Sequence, residues 1–116
     1  MDNEKIYRMP FAKIYPLLLN KAVRKGRTAQ EVNLVIGWLT GYTQQQILQA
    51  AETEVSYAEF FSHAPELNPK RRLITGTVCG VRVETIPEPM MQEIRYLDKL
   101  IDELAKGRSM DKILRD

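Results

Sequence analysis

Apolar positions recur every three or four residues along most of this chain. Phe11, Ile14, Tyr15, Leu18 and Ala22 form one set, Val32, Val35, Ile36 and Leu39 a second, and Tyr57, Phe60, Phe61 and Ala64 a third. The helical period of 3.6 residues gathers each set on one face, so each predicts an amphipathic helix with a single buried stripe. A longer set, Met90, Ile94, Leu97, Ile101 and Leu104, alternates steps of four and three like a coiled-coil seam and predicts a helix from about Pro89 to Lys106. Lys99 with Glu103 and Asp102 with Lys106 are spaced to pair on its exposed side, and Gly107 ends it. Ser109 can then cap a short terminal helix carrying Ile113 and Leu114.

Capping signals agree with the stripes. Thr28 with Glu31, Thr43 with Gln46, and Ser56 with Glu59 each place a hydroxyl three residues before Glu or Gln, the spacing at which two orphan N–H groups are satisfied reciprocally. Tyr42 with Ile47 and Val55 with Phe60 add hydrophobic staples to two of these starts. Gly26 and Gly41 stand where a left-handed residue closes a helix, and Pro65 stops another. Pro16 removes one N–H inside the first stripe and predicts a kink or a fresh helix start there.

The segment from 68 to 86 supports two readings. Asn68-Pro69 looks like an N-cap followed by proline at the first helical position, which predicts a helix to about Cys79 closed by Gly80. Ile74, Thr75, Thr77, Val78, Val81, Val83, Thr85 and Ile86 are β-branched and favour two short strands turning at Cys79-Gly80. Because a lone hairpin is marginal in water, the balance falls to helix followed by extended linker, with a short hairpin over residues 73–86 as the alternative. The fold expected is all-α, a single domain over residues 1–116 built as a bundle of five or six helices.

Composition narrows the function. With 44% apolar and 28% charged residues the chain is far from the disordered regime, and 116 residues leave no room for a second domain. A net charge of +2 is too small for the overall field of a dedicated nucleic-acid binder, so any such surface must be local. The N-terminal residues lack an apolar signal region, no apolar run is long enough to span a membrane, and the single cysteine cannot form an internal disulfide. A reducing cytoplasm is the expected location.

The segments MPFAKIYP, KGRT, IGWLTGY, NPKRRLITGTVCGVRVE and MQEIRYLDKLIDELAKG together resemble a bacterial family of small proteins, domain of unknown function 2200. The resemblance covers nearly the whole chain. It implies a small, mainly helical cytoplasmic protein, and it implies no activity, cofactor or catalytic residue.

Candidate chemistry is sparse. Cys79 and His63 are the sole thiol and imidazole; a catalytic thiol needs a nearby base, and spacing does not say whether these two meet. Arg82 and Glu84 would project together from an extended stretch anchored by Val81 and Val83, a small site for an anionic or dipolar ligand. Arg82, Glu84, His63 and Cys79 are therefore the candidate ligand-binding residues. Gly76 and Gly80 match neither phosphate-loop spacing, and one Cys with one His offers too few ligands for a metal, so neither metal nor cofactor is expected.

Lys21, Arg24, Lys25 and Arg27 form one basic cluster, and Lys70, Arg71 and Arg72 a second. Together they could contact phosphates, with Tyr7, Trp38, Tyr42 or Tyr96 as stacking partners. The first reading is a non-catalytic binding or protein-interaction module, with a homodimer formed through an apolar helix face. Nucleic-acid binding through Arg24, Lys25, Arg27, Lys70, Arg71 and Arg72 is the second, and a small enzyme around Cys79, Arg82 and Glu84 the third.

Overall fold

The computed structural model describes residues 3–115. In chain order the helices are α1 (Asn3–Arg8), α2 (Phe11–Val23), α3 (Ala29–Thr40), α4 (Gln44–Ala50), α5 (Tyr57–Ser62), α6 (Pro89–Ala105) and α7 (Met110–Ile113). Between α5 and α6 lie a 3-10 turn at Pro69–Leu73, a two-stranded antiparallel hairpin of β1 (Thr77–Val78) and β2 (Val81–Arg82), and a second 3-10 turn at Val83–Thr85. The protein is mainly α. Its radius of gyration of 13.1 Å is close to the roughly 13 Å expected of one packed unit this long.

The expected bundle of five or six helices is exceeded among the described residues, which hold seven. The addition is α1, six residues with none fully buried, whose adjacent Ile6 and Tyr7 pack partly against the core but form no periodic stripe to betray it. It is tied down from outside: Asn3 and Tyr7 both donate to the Glu88 carboxylate at the start of α6. Burial and that carboxylate push the Tyr7 hydroxyl up to about 12.

The capping logic holds at all three predicted starts, where Thr28, Thr43 and Ser56 close reciprocal boxes with Glu31, Gln46 and Glu59. Gly26 and Gly107 close α2 and α6 with paired 6→1 and 5→2 hydrogen bonds, from Arg27 to Ala22 and Gly26 to Val23, and from Arg108 to Glu103 and Gly107 to Leu104. Ser109 precedes α7 without a side-chain cap bond. Pro16 sits inside α2, which runs through it from Phe11 to Val23 and keeps Ile14, Tyr15, Leu18 and Ala22 buried on one stripe.

Helix α6 is the axis of the fold. It packs against α2, α3, α5, α7 and the hairpin, so its buried residues form a broad belt rather than a narrow seam. Met91 is buried where the heptad pattern placed Met90, and Tyr96 and Leu100 join Ile94, Leu97, Ile101 and Leu104. The belt includes two acids. Glu93 meets Arg71, and Glu103, only 5% exposed, accepts both Nη atoms of Arg115 at 2.8 and 2.7 Å. The Lys99–Glu103 pair expected at the surface is thus half interior.

The expected helix from 68 to 79 is replaced by the hairpin. Asn68 does cap, accepting from the Lys70 N–H, and Pro69 does start a turn, but the helix stops after Leu73. Cys79 and Gly80 both have positive φ, +52° and +80°, the conformation of a two-residue turn whose twist suits antiparallel strands. The marginal stability that counted against a hairpin is offset by α6, onto which Ile74, Val78 and Val83 bury.

Glu31 supplies a measurable test of the α3 start. Hydrogen bonds from the Arg27 guanidinium, then from the Thr28 N–H, hold its carboxyl at about 2 against an ordinary value of 4.5. A depressed carboxyl stabilises the fold fully above its ordinary range and loses that contribution as pH falls toward 2. The variant Glu31→Gln keeps the capping-box geometry and removes the charge. It should melt below the wild type at neutral pH, and the gap in thermal denaturation should close near pH 2.

Candidate functional site

The outer side of α3 carries residues that its buried stripe does not account for. Leu34 and Trp38, four apart, share a face; Leu34 is 59% exposed and Trp38 half-buried. Gly37 lies beside them in the helix interior, where glycine costs about 1 kcal/mol relative to alanine. A side chain at Gly37 would come within 3.0 Å of the Tyr42 carbonyl oxygen. Bare backbone therefore floors this part of the surface.

Two depressions meet at Gly37 and Trp38. The first, about 440 Å³, is mostly apolar and is walled by Leu34, Trp38, Tyr42 and Leu114, with Asn33 at its edge. The second, about 310 Å³, is polar and is bounded by Gly41, Glu66, Asn68 and Pro69. Trp38 is the wall they share.

Local chemistry explains how these residues come together. Gly41 ends α3 in the left-handed conformation (φ +82°), its N–H bonding to the Gly37 carbonyl at 2.8 Å. The chain then turns into the Thr43 box that starts α4. The Tyr42 ring stacks obliquely 4.6 Å from Phe60, and its hydroxyl donates to the Phe60 carbonyl, which fixes the ring in the wall. The segment from 66 to 68 docks on the end of α3, with the N–H groups of Glu66 and Asn68 bonding to the Thr40 and Leu39 carbonyls, both at 3.0 Å.

Asn33 is the polar group that convergent pockets require. It is 6% exposed, and its Oδ1 accepts from the buried Tyr15 hydroxyl. The residue lines the apolar depression, and its Nδ2, without a protein partner among the described residues, keeps access to solvent. On the polar side, the Glu66 carboxylate is exposed and pairs with no cation among the described residues. The site thus offers an amide donor, a tryptophan face, an apolar wall and a free carboxylate.

The pattern of the DUF2200 family, uncharacterised proteins conserved in bacteria, matches residues 5–115. This chain belongs to the DUF2200 family. The crystal structure of the uncharacterised protein SP1917 is similar across 98% of this chain and 93% of that one, at 47% sequence identity and a TM-score of 0.93. No curated protein matches the chain.

In this DUF2200 protein the residues singled out from sequence are dispersed. Cys79 is exposed at the hairpin turn and lines a separate depression of about 340 Å³ with Val81, Ile86, Met91 and Arg95. Arg82, Glu84 and His63 do not line it. His63 caps the end of α5. Glu84 folds back to accept the Gly76 N–H at 3.0 Å, and that bond holds its carboxyl below the usual range. The expected alternation also fails: Val83 is buried while Val81 is 40% exposed, because the strand breaks into a 3-10 turn after Arg82.

Among the described residues the one cation in the Cys79 depression is Arg95, which is bound to Asp98 at 2.9 Å. Burial pushes the Asp98 carboxyl up, an effect that Arg95 opposes. The Tyr57 hydroxyl, fully buried, has no hydrogen-bond partner among the described residues.

Several basic residues serve the fold. Arg27 binds Glu31 and donates to the Leu104 and Arg108 carbonyls, closing the end of α6 rather than of its own helix. Lys21 pairs with Asp102. Arg71 holds Glu93, and Arg72 donates to Gln92 and to the Tyr96 hydroxyl. Arg24, Lys25 and Lys70 are exposed. Of the aromatic residues named as stacking partners, Tyr96 is interior, whereas Trp38 and Tyr42 line the cleft.

Asn33 and Glu66 went unnoticed in the sequence. A signal was present: Leu34 and Trp38 lie off the stripe of Val32, Val35, Ile36 and Leu39, and Gly37 interrupts a helix without ending it.

Proposed function

We propose that this protein is a non-catalytic binding module and that the Trp38 cleft is its binding face. One observation carries the reading: Trp38 and the bare backbone of Gly37 are shared by an apolar depression of about 440 Å³ and a polar one of about 310 Å³, together a two-sided site of small-molecule size with Asn33 at its edge. The exposed Cys79 thiol suits a reducing compartment, and the proposal places the module in the cytoplasm.

The test is a nuclear magnetic resonance screen of small aromatic fragments that carry a carbonyl. Amide shifts should cluster on residues 33–44 and on Leu114, and Leu34→Glu, at an exposed site, should abolish them. Shifts that avoid Asn33 and Trp38 altogether would sink the reading.

A homodimer is the second reading. It is favoured by the outer face of α2, where Leu17 and Val23, 61% and 50% exposed, border an apolar depression with Leu19. Light scattering on the same samples distinguishes it by mass. The nucleic-acid reading has less support, since Arg27, Arg71 and Arg72 are engaged within the chain and only Arg24, Lys25 and Lys70 of the proposed contacts stand clear.

A further inference from the structure

Resting on the reading of the Trp38 cleft as a binding face, we infer that its ligand is a small organic cation: an ammonium or guanidinium group on an apolar body. The polar half of the cleft lies at the C-terminal end of α3, a helix of 12 residues, where the negative end of the macrodipole favours positive charge. Glu66, an exposed residue, lines the same half, and its carboxylate has no protein cation paired to it among the described residues. Of the nearby basic residues, Arg71 donates to the Asn68 carbonyl but is neutralised by Glu93, and Lys70 sits in the turn that follows.

The wall between the two halves is Trp38, the aromatic ring that attracts cations most strongly over its face. Across that wall, Leu34, Tyr42 and Leu114 provide contact for an apolar body, and the Asn33 Nδ2 donates to an acceptor carried on it. A carboxylate and a helix C-terminus on one side of an indole, with apolar residues on the other, form a complement to an amphiphilic amine. Volumes of about 440 and 310 Å³ lie in the range of small-molecule sites, and this favours a free amine over a polypeptide side chain.

Trp38 is the chain's single tryptophan, so its fluorescence reports occupancy of the cleft without a label. The probes are 4-phenylbutylamine, 4-phenylbutanol and 4-phenylbutyrate, which share an apolar body and differ in charge, titrated at low salt against the wild type and Glu66→Gln. The amine should bind roughly tenfold more tightly than the alcohol, and the anion most weakly. Glu66→Gln should remove most of the amine's advantage and leave the alcohol unchanged. Glu66 is exposed and docks through backbone hydrogen bonds that a glutamine keeps, so this exchange leaves the fold intact, which thermal denaturation checks.

Equal binding of all three probes, or an unchanged amine affinity in Glu66→Gln, overturns the cation assignment while leaving the cleft a binding face. Failure of every probe to move the Trp38 emission overturns both. A short capped peptide carrying one lysine that binds far more tightly than the free amine overturns the small-molecule assignment.

Discussion

Phe11→Ala should destabilise the protein by about 3–5 kcal/mol, the range for truncating a fully buried phenylalanine. Phe11 is 0% exposed and stacks face to face on Phe60 at 3.9 Å, with Tyr15 and Tyr57 tilted against it. The loss combines apolar transfer, the cavity left behind and the aromatic contact, which alone contributes roughly 0.5–1.5 kcal/mol. The backbone cannot collapse into the gap. The Phe11 N–H bonds to the Val55 carbonyl and the Tyr57 N–H to the Met9 carbonyl, both at 2.8 Å, pinning the starts of α2 and α5 together.

Against a total stability of about 5–15 kcal/mol for a domain, this is a fifth or more. Urea denaturation should show a lower midpoint at an unchanged slope. Leu17→Ala on the same helix, 61% exposed, should stay within about 0.5 kcal/mol. An equal effect from both would mean that α2 packs by another face. Because Phe60 also touches Tyr42, Phe11→Ala should in addition loosen the wall of the Trp38 cleft.

Gly41→Ala should be nearly as damaging, for a different reason. The residue has φ +82°, where an L side chain costs about 1–2 kcal/mol. A Cβ there would also lie 2.8 Å from the Glu66 nitrogen and 2.9 Å from its carbonyl oxygen. Those are backbone atoms and cannot rotate aside, so the docked segment must lift off the end of α3.

The hydrogen bonds from Glu66 and Asn68 to Thr40 and Leu39 then weaken, each contributing about 0.5–1.5 kcal/mol. The expected total is roughly 2–5 kcal/mol. Trp38 fluorescence should respond as well, since the displaced segment forms the polar half of the cleft. Gly26→Ala is the control: it has the same backbone conformation, φ +88°, with nothing within 4 Å of the added Cβ. It should lose only the conformational part. If the two variants melt alike, the steric account of Gly41 fails.

The contrast between these glycines shows how far local pattern reaches. Both were legible as helix terminators, because a left-handed residue at a helix end is a property of a few neighbouring residues. That Gly41 also admits the backbone of Glu66, 25 positions away, is a property of packing. The same division runs through the charged residues. Thr28 with Glu31 is a box written into four consecutive positions, whereas Arg27 reaching the Leu104 carbonyl joins two distant helices and leaves no mark on local spacing.

Sequence by itself determined the helical stripes, their three capping boxes and their glycine ends, since those depend on interactions within one or two turns. Tertiary structure decided the rest. Residues 77–82 became a hairpin because α6 offered a surface for Val78, and α1 formed although none of its residues is fully buried. Glu66 came beside Trp38 only when the segment after α5 returned to the end of α3. A cleft assembled from separate elements has no periodicity, because its geometry arises from where the helices meet rather than from the order of residues within any one of them.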